Sequence, residues 1–251
     1  MVPLLEFRNV AVDAAGSEPI EGVSFAIAAG ENAVFFGVEG SGLKTVAPLV
    51  LGLEEPSGGD VLHRGGTIRG LDYLERLRYK NAIGYLHGDY GLISSLTVEQ
   101  NISLRLEYYS EYLPEEITAI TERLMAELRI IDKRTARPVQ LTRSEIFRTA
   151  YARAVVHDPE LLIIEFAFVD QSPLNIRSFM DVLKARGADP AKSVIFMTYE
   201  PQKFVDFADT FIMLYNGRIV FSGSRQDFFD SDNPYLVQYR STSLRGPMAI
   251  S

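Results

Sequence analysis

The stretch Phe35-Phe36-Gly37-Val38-Glu39-Gly40-Ser41-Gly42-Leu43-Lys44-Thr45 constrains the fold more than any other part of the chain. An apolar run at 33–36 precedes it and reads as a buried strand, and a helical pattern at 46–53 follows it. Strand, glycine-rich turn and helix together make a phosphate-binding loop. Glycines let main-chain N–H groups turn toward an anion at the positive end of a helix. The working pattern is Gly, any four residues, Gly, Lys, then Ser or Thr. Gly37 and Gly42 keep that spacing, but the lysine position holds Leu43 and the hydroxyl position holds Lys44. Lys44 comes one residue late, about 100° around a helix from the required direction. Glu39 adds a carboxylate to a loop built for an anion, a repulsion worth more than about 1 kcal/mol in a partly desolvated site.

The rest of the chain alternates strand and helix patterns. Residues 4–12 and 20–27 read as strands around an Ala-Gly-Ser-Glu-Pro turn. Short strands at 60–63 and 67–68 flank Gly65-Gly66, with a short helix at 71–79 and a strand at 82–86. Thr97 with Gln100 forms a capping box ahead of Ile102 and Leu106. Pro114 opens a helix whose Ile117, Ile120, Leu124, Leu128 and Ile131 recur at helical spacing, a packing stripe. Thr142 with Glu145 forms a second capping box and opens a helix through Val156. Leu161-Leu162-Ile163-Ile164-Glu165 is apolar enough to be a buried parallel strand. Ser172-Pro173 opens a helix that closes near Gly187. A strand at 193–197 and a short helix from Pro201 come next, and then strands at 211–214 and 218–221 around the hairpin signal Asn216-Gly217. The tail from Asn233 reads as polar. The expectation is an α/β domain at 1–235 with a mostly parallel sheet core, an N-terminal antiparallel β part and an inserted helical subdomain at about 88–157. A tail at 236–251 completes it.

Composition narrows the function. A net charge of −8 argues against nucleic acid as a partner. The absence of cysteine excludes disulfides and a thiol nucleophile, and three histidines argue against a histidine-rich metal site. The start shows no signal-peptide pattern, and no apolar run reaches the roughly 18 residues that span a bilayer. The expectation is a cytoplasmic chain able to sit on a membrane protein.

In this order the segments resemble the ATP-binding subunit of an ABC transporter across nearly the whole chain. Ile83-Gly84-Tyr85 through Leu96-Thr97-Val98 is similar to that family's glutamine-loop region. Leu141 onward, with Ala152-Arg153-Ala154, is similar to its signature helix. His157-Asp158-Pro159-Glu160-Leu161-Leu162 is similar to the approach to the Walker B strand, and Asn216-Gly217-Arg218-Ile219-Val220 to the closing hairpin. The resemblance implies an ABC-type P-loop nucleotide-binding-domain fold. It also implies an integral-membrane permease, a second ABC subunit (identical or an intact ATPase), and a peripheral position on the inner membrane. Phe168-Val169-Asp170-Gln171-Ser172-Pro173 and the tail from Asn233-Pro234 to Gly246-Pro247 resemble the ATPases of MCE-type lipid transporters more narrowly, which implies lipid as cargo.

The departures from the family pattern fall on its reagents. Val12 stands where the adenine-stacking aromatic belongs, and Leu43 replaces the loop lysine. Gly88 stands at the metal-coordinating glutamine, and Thr142-Arg143-Ser144-Glu145 replaces the Ser-Gly-Gly-Gln signature. Glu165 stands at the Walker B aspartate, Phe166 at the catalytic glutamate and Tyr199 at the switch histidine. Gly37, Gly40, Ser41, Gly42, Lys44 and Thr45 remain as a degenerate nucleotide-binding loop. The leading expectation is therefore a non-catalytic subunit with no catalytic residues, with ATP and Mg²⁺ absent or weak. Its permease would dock near Tyr90, Leu92, Ile93 and Leu96. Two alternatives stay open: a weakly active ATPase using Lys44 and Glu165, and a soluble binding module of the same fold.

Overall fold

The structure is a computed structural model that describes residues 2–13 and 16–249. It forms two compact units, one made of residues through Lys80 and from Gly187 on, the other of Asn81–Arg186.

The first unit starts where apolar and polar residues alternate. β1 (Leu5–Val12) buries Leu5, Phe7, Val10 and Val12 and pairs antiparallel with β2 (Ile20–Ile27). β3 (Ala33–Gly37) is buried at every position, as its unbroken apolar run requires of a strand covered on both faces. α1 (Leu43–Val50) leaves the glycine turn, and β4 (Gly58–His63) and β5 (Gly66–Thr67) complete an antiparallel sheet ordered β2-β1-β4-β5. α2 (Tyr73–Asn81) follows.

The second unit holds β6 (Ile83–His87), α3 (Val98–Tyr109), α4 (Pro114–Glu127), α5 (Arg143–Val155), β7 (Leu161–Glu165) and α6 (Pro173–Gly187). β6 and β7 pair in parallel, Ile83 opposite Leu161 and His87 opposite Glu165. Both expected capping boxes are present. Thr97 accepts from the Gln100 N–H at 3.2 Å, and Thr142 accepts from the Glu145 N–H at 3.3 Å. The interior is aromatic: Phe179 packs edge-on against Phe147 and Tyr151, at ring separations of 4.5 and 4.6 Å.

The chain then returns to the first unit through β8 (Ser193–Thr198), β9 (Thr210–Tyr215), β10 (Arg218–Ser224), α7 (Arg225–Asp230) and α8 (Pro234–Arg240). β3 lies between β8 and β9 and runs parallel to both, while β9 and β10 form the hairpin around Asn216-Gly217. The sheets are thus parallel at their core and antiparallel at the N-terminal part.

Two differences from the sequence reading have physical causes. α1 starts at Leu43, three residues early, because Gly42 caps it at φ 92° and leaves no loop between turn and helix. The tail is packed and helical rather than a polar appendage. Ser224 and Asp227 form a capping box, and Asn233 accepts from the N–H groups of Tyr235 and Leu236 with Pro234 in the first turn. Leu236 and Met248 are buried, and the expected boundary at 235 falls inside α8.

Candidate nucleotide site

In the first unit the phosphate loop keeps its main-chain shape. A Cβ on Gly37 would lie 2.4 Å from the Leu214 carbonyl oxygen and 2.7 Å from Ser41 Oγ, so only glycine fits. Gly40 and Gly42 sit at φ 73° and 92°, in the left-handed region that glycine adopts without strain. Ser41 and Thr45 are buried. Leu43, at the lysine position, is 1% exposed and packs as core. It strengthens the hydrophobic side of α1 while removing the loop's cation.

Lys44 is exposed and hydrogen-bonds the phenol of Tyr199. Burial pushes the Tyr199 phenol above its ordinary pKa, with Lys44 opposing that push. A phenol protonated through neutral pH cannot replace an imidazole that titrates there. Val12 is buried and offers no ring. Two residues that the sequence did not single out hold the loop. The Tyr239 phenol on α8 reaches the carbonyls of Tyr199 and Gly37, at 2.7 and 3.1 Å. The Glu18 carboxylate accepts from the Gly42 N–H at 2.8 Å, and the Glu18 carbonyl accepts from Thr45 Oγ1 at 2.5 Å. Tyr239 was hidden by reading the tail as polar. Glu18 carries no motif at all.

In the second unit the end of β7 has the right position and different chemistry. Glu165 is buried, and its carboxylate accepts from the Tyr85 phenol. Burial and that carboxylate together raise the Tyr85 pKa, so the phenol stays a donor. Phe166 turns the chain at φ 50°. Gly88 lies against that turn, where a Cβ would stand 3.1 Å from the Phe166 carbonyl oxygen. The turn is tied down by side chains. The Tyr90 phenol donates to the Ala167 carbonyl at 3.1 Å and accepts from Gln171 Nε2 at 2.9 Å.

The altered signature starts α5. Thr142 and Glu145 cap the helix, with the Thr142 N–H donating to Glu145 at 2.7 Å. That bond, first among several, holds the Glu145 carboxyl below its ordinary pKa. Arg143 is exposed and pairs with Asp170 at 3.1 Å, while Ser144 is half-buried at the start of the helix.

The docking expectation needs a correction at Tyr90. It is 2% exposed, inside the network just described, and is no docking residue. The sequence could not separate a tyrosine used for core hydrogen bonding from one offered to a partner. Leu92 and Leu96 are half-buried, and Ile93 is 41% exposed. Asn101, fully buried, holds this segment by accepting from the Ile93 N–H at 2.8 Å.

The loop's main chain therefore fits a phosphate group. It presents glycine-borne N–H groups at the start of an eight-residue helix, with open space beside Gly40. Leu43, Gly88, Phe166 and Tyr199 stand at the positions where the resemblance placed the family's lysine, glutamine, glutamate and histidine. Among the described residues no helix is long and apolar enough to cross a membrane.

Known proteins fit this geometry. The family model described as ABC transporter matches residues 20–165. The chain is 27% identical over 233 residues to the methionine import ATP-binding protein MetN of Lactobacillus delbrueckii subsp. bulgaricus, covering 90% of this chain and 65% of that protein. It is 29% identical over 221 residues to the MetN of Brucella abortus, covering 88% of this chain and 60% of that protein. The chain thus spans less than two-thirds of the length of these relatives. Among solved structures it matches cbiO1 of Clostridium perfringens, part of the ABC transporter complex cbiONQ. The TM-score is 0.80 at 20% identity, over 98% of this chain and 96% of that one. A dimeric ATP-binding cassette in a post-hydrolysis state bound to ADP and Pi matches with a TM-score of 0.80 at 22% identity, over 88% and 98%.

These matches overturn the expectation that ATP and Mg²⁺ are absent or weak. The relatives are named ATP-binding proteins. The expectation weighed the side chains at Val12, Glu39 and Leu43, whereas the phosphate cradle is main-chain and intact. With more than half of its residues inside one family model, matched from residue 20 to residue 165, the chain belongs to the ABC transporter family.

Proposed function

We propose that this chain is the ATP-binding subunit of a transporter which holds ATP without appreciable hydrolysis and supports an integral-membrane permease from the cytoplasmic side. The observation that supports this reading is Phe166. A phenyl ring stands where the family's catalytic glutamate falls, in a turn whose carbonyl closes on Gly88. Phosphoryl transfer depends on a positioned nucleophile and stabilised charge. Phe166 neither orients water nor accepts a proton, and Gly88 has no side chain to direct one. Tyr199 supplies no imidazole. When bound, ATP supplies the phosphoryl group and Mg²⁺ neutralises its charge. The main-chain N–H groups of the loop would hold the phosphates.

In this reading the subunit contributes binding energy and mechanical support, and a second, intact ATPase contributes turnover. Lipid cargo belongs to the same proposal. It rests on the Phe168-to-Pro173 run and the tail, and its test is whether the purified complex carries more lipid than an unrelated membrane protein does. The relatives named for methionine import supply the competing outcome.

The test is reconstitution with the permease and the partner ATPase. Inactivating the partner's catalytic glutamate should abolish ATP hydrolysis by the complex. Hydrolysis persisting near the starting rate would show that this chain turns ATP over.

A further inference from the structure

The phosphate loop already holds an anion from its own chain. Glu18 grips the start of α1 at two points, through its carboxylate on the Gly42 N–H and its carbonyl under Thr45 Oγ1. The Gly42 N–H is one of the donors that a helix leaves without a partner at its first turn, and that end of the helix attracts negative charge. The segment carrying Glu18 cannot come closer: a Cβ on Gly42 would stand 2.6 Å from Ile20 Cγ2. It is also fixed on its other side. The Glu21 N–H donates to the Gly217 carbonyl and the Gly217 N–H to the Ser41 carbonyl, both at 2.9 Å. Ser41 Oγ, in the same loop, is buried without a hydrogen-bond partner among the described residues.

We propose that Glu18 is a resident competitor for the phosphate loop. Its carboxylate holds the Gly42 amide while the loop is empty, and a phosphate oxygen of ATP must displace it. The inference rests on the reading that this loop takes ATP. The carboxylate does two opposed things. It stabilises the empty loop by satisfying a helix-terminal donor, and it weakens ATP binding by occupying that donor and placing negative charge beside the incoming phosphate. A hydrogen bond to a charged group corresponds to about a tenfold change in affinity.

The test compares Glu18→Gln and Glu18→Ala with Glu21→Gln. The last removes the same charge from a neighbouring exposed residue that pairs with Arg218 instead of the loop. Calorimetry gives the Kd for Mg-ATP, and amide hydrogen exchange on the nucleotide-free protein reads the Gly42 N–H directly. The expected result is a Kd lowered about tenfold by both Glu18 substitutions and unchanged by Glu21→Gln. Exchange at Gly42 should be faster only in the Glu18 variants. An unchanged or higher Kd in folded Glu18→Gln, or equal tightening in Glu21→Gln, overturns the competitor role alone. Absence of ATP binding in wild type and in every variant contradicts the proposed function and the competitor role together.

Discussion

The phosphate loop and the turn after β7 are held in different ways. The loop works through its main chain. Gly37, Gly40 and Gly42 set its path, and the Leu43 side chain is buried in the core. The turn after β7 works through side chains. There the replacements have been absorbed into internal bonds, Tyr85 to Glu165, Tyr90 to Ala167 and Gln171, Arg143 to Asp170. A loop shaped by glycines keeps its path whatever its side chains are, while a turn held by side chains depends on each of them. The proposal that ATP is held without hydrolysis rests on this difference.

The largest expected effect breaks the backbone half of this comparison. Gly37→Ala places a methyl group 2.4 Å from the Leu214 carbonyl oxygen, so strand and loop must separate. It should cost about 3 kcal/mol in denaturant unfolding. Gly40→Ala meets nothing within 4 Å and should cost about 1 kcal/mol, the strain of a left-handed alanine. Equal losses would mean that the loop's path is not fixed by close approach at Gly37.

The side-chain half is probed next. Tyr90→Phe keeps the ring against Phe147 and removes the hydroxyl that serves Ala167 and Gln171. A loss of about 1–2 kcal/mol is expected from the buried groups left unpaired. A loss near zero, read by the same unfolding assay, would show that this network does not hold the turn.

The smallest effect lies at the altered signature. Thr142→Ala should cost about 1 kcal/mol at pH 7 through the lost helix cap. Glu145 adds a pH dependence whose sign is fixed. Its folded pKa is depressed, first by the Thr142 N–H, so its contribution is complete above the ordinary carboxylate value of 4.5 and is lost as pH falls through the lower folded value. Unfolding titrations from pH 7 to pH 3 should show this loss in wild type and its absence in Glu145→Gln.

Much of the fold was legible because its signals are local. The Thr97 and Thr142 capping boxes, Pro114, Pro173 and the Asn216-Gly217 hairpin each fix a boundary with a few neighbouring residues. α8 had an equally local signal in Asn233-Pro234, masked by the polarity of the tail, and α7 had one in Ser224 with Asp227, just ahead of the tail. The site was less legible because its decisive contacts join residues far apart in sequence. Glu18 meets Gly42 across 24 residues, and Tyr239 meets Gly37 across 202. No spacing rule reaches that far. Side chains alone also mislead about a main-chain cradle, which is why Val12, Glu39 and Leu43 suggested a lost ligand against the ATP-binding names of the chain's relatives.

The central claim is that ATP is held and not consumed. The direct measurement loads the purified chain with radiolabelled Mg-ATP, removes free nucleotide, and identifies the bound nucleotide over an hour. The account predicts that the label stays protein-bound and is recovered as ATP throughout. Recovery as ADP with phosphate release at about 1 s⁻¹, a common enzymatic rate, would contradict it.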